Sequence, residues 1–217
     1  MFFASDNGGP AHPAVIDALA RANEGYTSAY GAEPAMDRVR DRLRDMFEAP
    51  DASVYLVATG TAANALALAT MSNPWDTVFC TAMAHINEDE CNAPEFYSGG
   101  AKLTLVGDRD AKMDPRALQA AIAAEESRGV HGPQRGPVSI TNATEKGTVY
   151  TPSEIAALTG IARDFGLKTH LDGARFANGL VALGCTPAEM TWKAGIDAVS
   201  FGGTKNGLIG AEAVLLF

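Results

Sequence analysis

Short apolar stretches alternate along this chain with segments whose apolar residues recur at helical spacing. Seven stretches read as strands, at 54–58, 77–80, 103–106, 138–142, 169–171, 198–201 and 213–216. Helical patterns separate most of them, including 62–70, 115–126 and 153–165. Continuous apolar runs are typical of strands buried on both faces, and strand–helix alternation favours a mainly parallel sheet. The pattern therefore predicts an α/β fold with helices on both faces of one sheet.

The first 50 residues carry two helical patterns and no strand. Pro13 opens one helix and Gly25 closes it. Its apolar face consists of Val15, Ile16, Leu19 and Ala20. The second helix shows the same spacing at Met36, Val39, Leu43, Met46 and Phe47. We therefore predict an N-terminal helical segment over residues 1–50 and a large domain over residues 51–217.

Composition and charge narrow the function. Of the 217 residues, 47% are hydrophobic and 20% are charged, which is ordinary for a soluble globular enzyme. Since no apolar run is long enough to span a bilayer and no signal peptide is seen, we expect a cytoplasmic protein without a membrane partner. The formal net charge of −9 disfavours nucleic acid, whose phosphates need a basic face. Three cysteines without metal-ligand spacing indicate reduced thiols and no metal site.

Unusual residues follow several of the predicted strands, where open α/β sheets place their ligands. After the first strand, Thr59-Gly60-Thr61 opens a helix, and backbone N–H groups at a helix N-terminus are a ready phosphate site. The same residues also make an ordinary helix cap. No Gly-x-Gly-x-x-Gly pattern and no Walker lysine accompany them, so a nucleotide-binding domain is disfavoured.

Two further strand ends carry titratable side chains. His85 follows the second strand beside three carboxylates, either as a catalytic or as a structural histidine. Asp172 and Arg175 follow the fifth strand. A buried carboxylate needs a cationic or hydrogen-bonding partner, which a pyridinium N–H could supply. A simple Asp172–Arg175 ion pair is the alternative.

Lys205 follows the sixth strand and differs from the other lysines, which lie in polar turns or at element ends. The strand before it is apolar, and Gly202 and Gly203 would let a ligand approach closely. A lysine in a partly desolvated pocket has its ammonium form disfavoured, which suits an amine that forms a Schiff base.

Taken together, these segments resemble the L-threonine aldolases, in the β-eliminating lyase group of the pyridoxal 5′-phosphate (PLP) enzymes of fold type I. The order and spacing of the motifs carry the resemblance over the whole chain. They are Ser5-Asp6-Asn7, Tyr30-Gly31, Thr59-Gly60-Thr61-Ala62-Ala63-Asn64, Ala84-His85, His131, Leu171-Asp172-Gly173-Ala174-Arg175-Phe176 and Thr204-Lys205. The resemblance implies the large domain of an aspartate-aminotransferase-like fold, with the last of seven strands antiparallel.

The resemblance also implies roles for individual residues. Lys205 would hold PLP as a Schiff base, Asp172 would pair with the pyridine nitrogen, and Gly60 and Thr61 would form the phosphate cup. The other residues implied to contact the cofactor are His85, which would stack on its ring, Arg175 and Thr204.

Substrate-binding roles follow in the same way. Ser5 and Arg175 match groups that bind the substrate carboxylate, and Tyr30 falls on a family motif position, as does Glu90. His85 and His131 match two histidines near the substrate hydroxyl. Either one, or a water held by it, could be the base.

The implied activity is cleavage of threonine, allo-threonine or a related β-hydroxy-α-amino acid to glycine and an aldehyde by a homodimer or homotetramer. Two alternatives stay open: another fold type I activity, such as an aminotransferase or a Cα–S lyase, and a catalytically silent PLP-binding fragment. Because the chain ends inside an apolar strand at Phe217, we expect a small C-terminal domain beyond it. The fourth-strand motif, Thr141-Asn142-Ala143-Thr144-Glu145, departs from many relatives, so the preferred side chain of the substrate is left open.

Overall fold

The central feature of the fold is a seven-stranded sheet. The computed structural model describes residues 4–217, apart from the side chain of Glu126. Its strands are β1 (Ser53–Val57), β2 (Asp76–Thr81), β3 (Lys102–Val106), β4 (Asp108–Arg109), β5 (Lys112–Met113), β6 (Gln134–Thr141), β7 (Thr169–Gly173), β8 (Ala198–Gly202) and β9 (Glu212–Leu216). The large sheet has the order β1-β9-β8-β7-β6-β2-β3, and β4 pairs with β5 in a separate hairpin.

All seven predicted strands lie in this sheet, which confirms the predicted fold class. Strand β9 is antiparallel to both β1 and β8, whereas the other neighbouring strands run parallel. Parallel strands end at a common edge, so the carboxyl ends of β2, β6, β7 and β8 lie side by side.

Helices cover both faces of the sheet. They are α1 (Pro13–Ala22), α2 (Pro34–Met46), α3 (Gly60–Met71), α4 (His85–Glu88), α5 (Ala93–Tyr97), α6 (Pro115–Glu126), α7 (Pro152–Asp164), α8 (Phe176–Leu183) and α9 (Pro187–Met190). On one face, Leu118 of α6 and Leu158 of α7 pack in the main core with Leu171 of β7. On the other face, Ala63 and Ala67 of α3 pack against smaller side chains of β8 and β9. Within the described residues, no helix is long and apolar enough to cross a membrane.

The two N-terminal helices differ in how they meet this core. Phe47, which ends α2, is fully buried, and its ring lies 5.4 Å from that of Phe176 and 5.5 Å from that of Phe201. In contrast, α1 buries no residue, and Ile16 and Leu19 on its apolar face are 51% and 54% exposed. The apolar pattern thus predicted the helix correctly but not a buried face. The proposed boundary at residue 50 stays a prediction.

Candidate active site

A cavity of about 470 Å³ opens at the carboxyl edge of the sheet. It brings together eight of the residues named for the site in the sequence, namely Gly60, Thr61, His85, Glu90, Asp172, Arg175, Thr204 and Lys205. Five polar residues that the sequence did not assign to the site also line it: Asn7, Asn64, Thr141, Glu145 and Glu212. Most of these residues come from the carboxyl ends of β2, β6, β7 and β8 and from the first turns of α3, as the strand-end rule anticipates. Glu212, in contrast, begins β9, and Asn7 belongs to the N-terminal segment.

The N-terminus of α3 presents backbone N–H groups on one side of the cavity. Thr59 caps the helix, because its hydroxyl oxygen accepts the N–H of Ala62 at 3.1 Å. A side chain at Gly60 would meet no atom within 4 Å, so the protein's own packing does not require glycine there. The first N–H groups of a helix have no partner within it. Open space in front of such donors fits an anion such as a phosphate group.

Asp172 is the next-to-last residue of β7 and is only 3% exposed. Oδ1 accepts the N–H of Ala174 at 2.9 Å, and Oδ2 accepts from the side-chain amide of Asn64 at 2.8 Å. Arg175 does not pair with it, since its Nε donates to Oδ2 of Asp6 at 2.6 Å. The simple Asp172–Arg175 ion pair considered above is therefore not formed.

Lys205 lies in a single 3₁₀ turn, Thr204–Asn206, directly after β8. Its side chain is 14% exposed, and Nζ lies 3.9 Å from Oδ1 of Asp6. The loop is fixed by the buried carboxylate of Glu212, which accepts the N–H groups of Gly203 at 2.8 Å and of Thr204 at 3.3 Å. The lysine is thus held on a loop that a buried acid anchors.

The two glycines before Lys205 are required for a different reason from the one expected. A Cβ at Gly202 would lie 2.5 Å from the carbonyl oxygen of Ala174, and one at Gly203 would lie 2.5 Å from the side chain of Leu208. Both positions are therefore closed by the protein itself. Glycine is required here for the close approach of neighbouring chain segments, and not for the approach of a ligand.

His85 begins α4 and is held at two points by carboxylates. Its backbone N–H donates to Oε1 of Glu145 at 3.0 Å, and ring atom Nδ1 lies 2.9 Å from Oε1 of Glu90. The hydrogen bond to Glu90 raises the pKa of His85 above its ordinary value, although burial opposes it. Burial raises the pKa of both Glu90 and Glu145. Each of these three groups therefore keeps its own proton to a higher pH than it would in water.

Three predicted site residues do not line the cavity. Tyr30 is fully exposed, and Ser5 caps the 3₁₀ turn Asp6–Gly8 by accepting the N–H of Asn7. His131 lies just before β6, at the amino end of that strand. Since β6 has eight residues and a strand rises about 3.3 Å per residue, a strand of roughly 25 Å lies between His131 and the cavity edge of the sheet. The structure therefore does not bring His131 to the cavity of its own chain.

Comparison with known proteins adds the chain's relatives to this geometry. A family model described as beta-eliminating lyase matches residues 3–217. Low specificity L-threonine aldolases from Pseudomonas sp. (strain NCIMB 10558) and from Pseudomonas aeruginosa are each 44% identical to the chain over 215 residues. Those matches cover 99% of this chain and 61% of each relative, so the chain spans less than two thirds of their length.

A solved structure shares the fold throughout. The threonine aldolase of Leishmania major matches with a TM-score of 0.91 and 29% identity, over 99% of this chain and 61% of that one. A putative L-allo-threonine aldolase from Listeria monocytogenes matches with a TM-score of 0.70 at 17% identity, over 96% of this chain and 56% of that one. The second likeness extends to the fold alone.

Proposed function

The chain belongs to the β-eliminating lyase family, and from this membership we propose that it acts in a PLP-dependent aldolase. Enzymes of this family and the threonine aldolases use PLP. The proposed reaction is cleavage of L-threonine, allo-threonine or a related β-hydroxy-α-amino acid to glycine and an aldehyde. One observation carries the proposal: the amine of Lys205 and the buried carboxylate of Asp172 line the same cavity as the N-terminus of α3. The identity of 44% with low specificity L-threonine aldolases supports it.

The residues of the cavity fit PLP. The cofactor needs an amine for its aldehyde, an acid for its ring nitrogen and donors for its phosphate. Lys205 supplies the amine, Asp172 the acid, and the N–H groups of Gly60 and Thr61 lie at the open helix N-terminus. The hydroxyl oxygen of Thr204 is buried without a hydrogen-bond partner among the described residues, which is the condition of a group that a ligand would satisfy.

When bound, PLP would withdraw electrons from the Cα atom of the amino acid. The chain's own groups would manage charge and protons around it. Asp172 would keep a proton on the ring nitrogen by accepting a hydrogen bond from it. Arg175 would bind the substrate carboxylate, which would take the place of the Asp6 carboxylate that now occupies its guanidinium.

Cleavage of the Cα–Cβ bond also requires that the β-hydroxyl lose its proton. His85 lines the cavity, and among residues 4–217 its ring atom Nε2 has no hydrogen-bond partner. We therefore assign the proton acceptor to Nε2 of His85. This assignment makes His131 of the same chain unnecessary.

The proposal is tested by trapping and by product analysis. Borohydride reduction of the PLP-loaded protein should fix the cofactor on Lys205, and Lys205→Ala should abolish this while Lys112→Ala, which changes a lysine outside the cavity, should not. L-Threonine should yield glycine and an aldehyde. Formation of a keto acid in place of glycine would instead favour an aminotransferase, and attachment of the cofactor to another lysine would exclude the assigned site.

Asp172 gives the second arm of the test. In Asp172→Asn the side chain keeps its size but loses its charge, so it no longer favours a protonated ring nitrogen. We expect glycine release to fall by about 100-fold or more, the effect of removing one preorganised electrostatic contact. Unchanged release would remove Asp172 from the proposed site.

The homodimer or homotetramer and the cytoplasmic location stay predictions. The exposed apolar side chains of Ile16 and Leu19 on α1 support self-association, because an amphipathic helix usually buries its apolar face. Sedimentation analysis of the purified protein would decide whether it associates.

A further inference from the structure

A hydrogen-bonded chain of side chains runs along the wall of the cavity and links His85 to Asp172. The side-chain nitrogen of Asn64 donates to Oε1 of Glu90 at 2.8 Å and to Oδ2 of Asp172 at 2.8 Å. The same oxygen of Glu90 lies 2.9 Å from Nδ1 of His85. Asn64, Glu90 and Asp172 are 2%, 4% and 3% exposed. His85 is therefore connected to Asp172 through groups that water hardly reaches.

The hydrogen-bond inventory of this chain fixes where the protons lie. An amide nitrogen has two hydrogens, and Asn64 directs both of them at carboxylate oxygens. Oε1 of Glu90 is thus already an acceptor toward Asn64. A proton on that oxygen would compete with the Asn64 donor. A proton on Oε2 would have no acceptor, because Oε2 is buried without a hydrogen-bond partner among the described residues. The remaining arrangement has Nδ1 of His85 as a second donor to Oε1.

From this inventory, we propose that Glu90 is a positioning residue that holds His85 in the tautomer with its proton on Nδ1, so that Nε2 is the basic nitrogen of the ring. Only the purpose of this tautomer rests on the proposed function: it leaves Nε2 with a lone pair that can accept the proton of the substrate's hydroxyl. The tautomer itself belongs to the protein without cofactor or substrate. In a neutral imidazole, the nitrogen that donates a hydrogen bond determines which nitrogen is the base.

The backbone around Glu90 indicates that this placement is specific. The next two residues, Cys91 and Asn92, both have left-handed backbone conformations, with φ of 49° and 62°. Such conformations are uncommon outside glycine and are found at positions that the surrounding structure determines. Here they turn the chain sharply after Glu90, between α4 and α5, while the Glu90 side chain stays buried.

A rival role for Glu90 is only to close this turn by packing. The two roles differ in charge. Gln can fill the same space and its carbonyl oxygen can still accept a hydrogen bond, but it carries no negative charge to stabilise the imidazolium form. Glu90→Gln therefore separates the effect of the charge from that of packing. Glu88→Gln is the matched control, since Glu88 is exposed at the end of α4, two residues before Glu90, and hydrogen-bonds to Asn87.

The first measurement is a long-range ¹H–¹⁵N correlation of the imidazoles in the wild-type chain without cofactor. The chain has four histidines, so a His85→Gln variant identifies the signals of His85. Above the pKa of His85, we expect the neutral ring to carry its proton on Nδ1. A ring with its proton mainly on Nε2 would overturn the proposal, and this result does not depend on whether any Glu90 variant folds.

The second measurement is a pH titration of the same signals. In Glu90→Gln, the pKa of His85 should fall by about one unit or more, the usual effect of an opposite charge within hydrogen-bond distance. Glu88→Gln should leave both the titration and the tautomer unchanged. Equal effects of the two variants would reduce Glu90 to a packing role. Failure to trap PLP on Lys205 would leave these results intact, so this proposal and the proposed function can fail separately.

Discussion

The polar residues at the carboxyl edge of the sheet and the N-terminal arm, residues 4–33, contribute to the same cavity in different ways. At the edge, Asn64, Glu90, Asp172 and Glu212 are all at least 93% buried and hydrogen-bonded. None of the residues of the arm is buried. Its contacts with the site include Asp6, whose carboxylate pairs with Arg175 and lies 3.9 Å from Nζ of Lys205, and His12, whose N–H donates to the carbonyl oxygen of Gly207.

The difference shows which part of the site the chain fixes by itself. Buried hydrogen-bonded groups are costly to displace, because each would leave an unsatisfied partner. An exposed ion pair is easily exchanged for water and salt. The groups proposed to hold the cofactor are thus preorganised. In contrast, Asp6 of the arm places its carboxylate at Arg175, where a substrate carboxylate could bind instead.

The largest effect is expected where the N-terminal sequence enters the core. Phe47→Ala removes a fully buried ring that packs against Phe176 and Phe201, and should lower the free energy of unfolding by about 3–5 kcal/mol. Leu19→Ala on the exposed face of α1 should change it by less than about 0.5 kcal/mol. Denaturant titration checks both, and a large loss in Leu19→Ala would show that the arm is packed in solution.

A second test concerns a histidine buried in β7, the central strand of the sheet. His170 is fully buried between the hydroxyl oxygens of Ser139 and Ser200, at 3.0 and 2.9 Å, and burial lowers its pKa from 6.5 to about 4. Below pH 6.5 the unfolded chain binds a proton there that the folded chain refuses. Its contribution to stability is therefore complete above pH 6.5 and is lost as the pH falls toward 4, a change of about 3 kcal/mol.

Unfolding curves between pH 7 and 4 measure this loss. In His170→Gln, the free energy of unfolding should lack the part of its pH dependence that His170 contributes. The wild type and His170→Gln must be compared directly, because the raised pKa of His85 gives a contribution to stability that increases as the pH falls. An identical slope in His170→Gln would contradict the assignment to this histidine.

A smaller effect is expected at the loop of Lys205. In Glu212→Gln, the new NH₂ group faces one of the two backbone N–H groups that the carboxylate accepted, so one buried donor loses its partner. Unfolding should become easier by about 1–3 kcal/mol, and trapping of PLP on Lys205 should weaken. Glu24→Gln on the exposed arm serves as the control and should behave like the wild type.

The smallest effect is expected at the contact between the two regions. Asp6→Asn removes the charge opposite Arg175, and thermal unfolding should change by less than about 1 kcal/mol because the pair is partly exposed. Added salt should reduce even that difference. A loss as large as that of Phe47→Ala would show that the arm is as firmly attached as the sheet.

The strand pattern was enough to predict the sheet and several members of the site. Lys205, Asp172 and His85 could be found because each follows an apolar strand, and the ends of parallel strands meet at one edge. Glu145 follows β6 in the same way and could have been assigned to the site by the same rule.

Other features could not be read from the sequence. Glu212 begins β9, directly before its apolar residues, and its role depends on the antiparallel register that places it opposite Gly202. Asn64 lies on a helix whose rotation toward Asp172 is set by packing. The exposure of α1 has no signal in its apolar pattern, because periodicity shows which face is apolar and not what covers it.

The antiparallel direction of β9 has a consequence for folding. The loop with Lys205 joins two adjacent strands, so its anchor on Glu212 spans only nine residues, whereas the bond between Asn64 and Asp172 spans 108. Contacts that are close in sequence form with a small loss of chain entropy, and distant ones form late. We therefore expect Lys205 to reach its position early in refolding and the bond between Asn64 and Asp172 to form late. The moment at which PLP begins to attach to Lys205 would then mark the last step of folding.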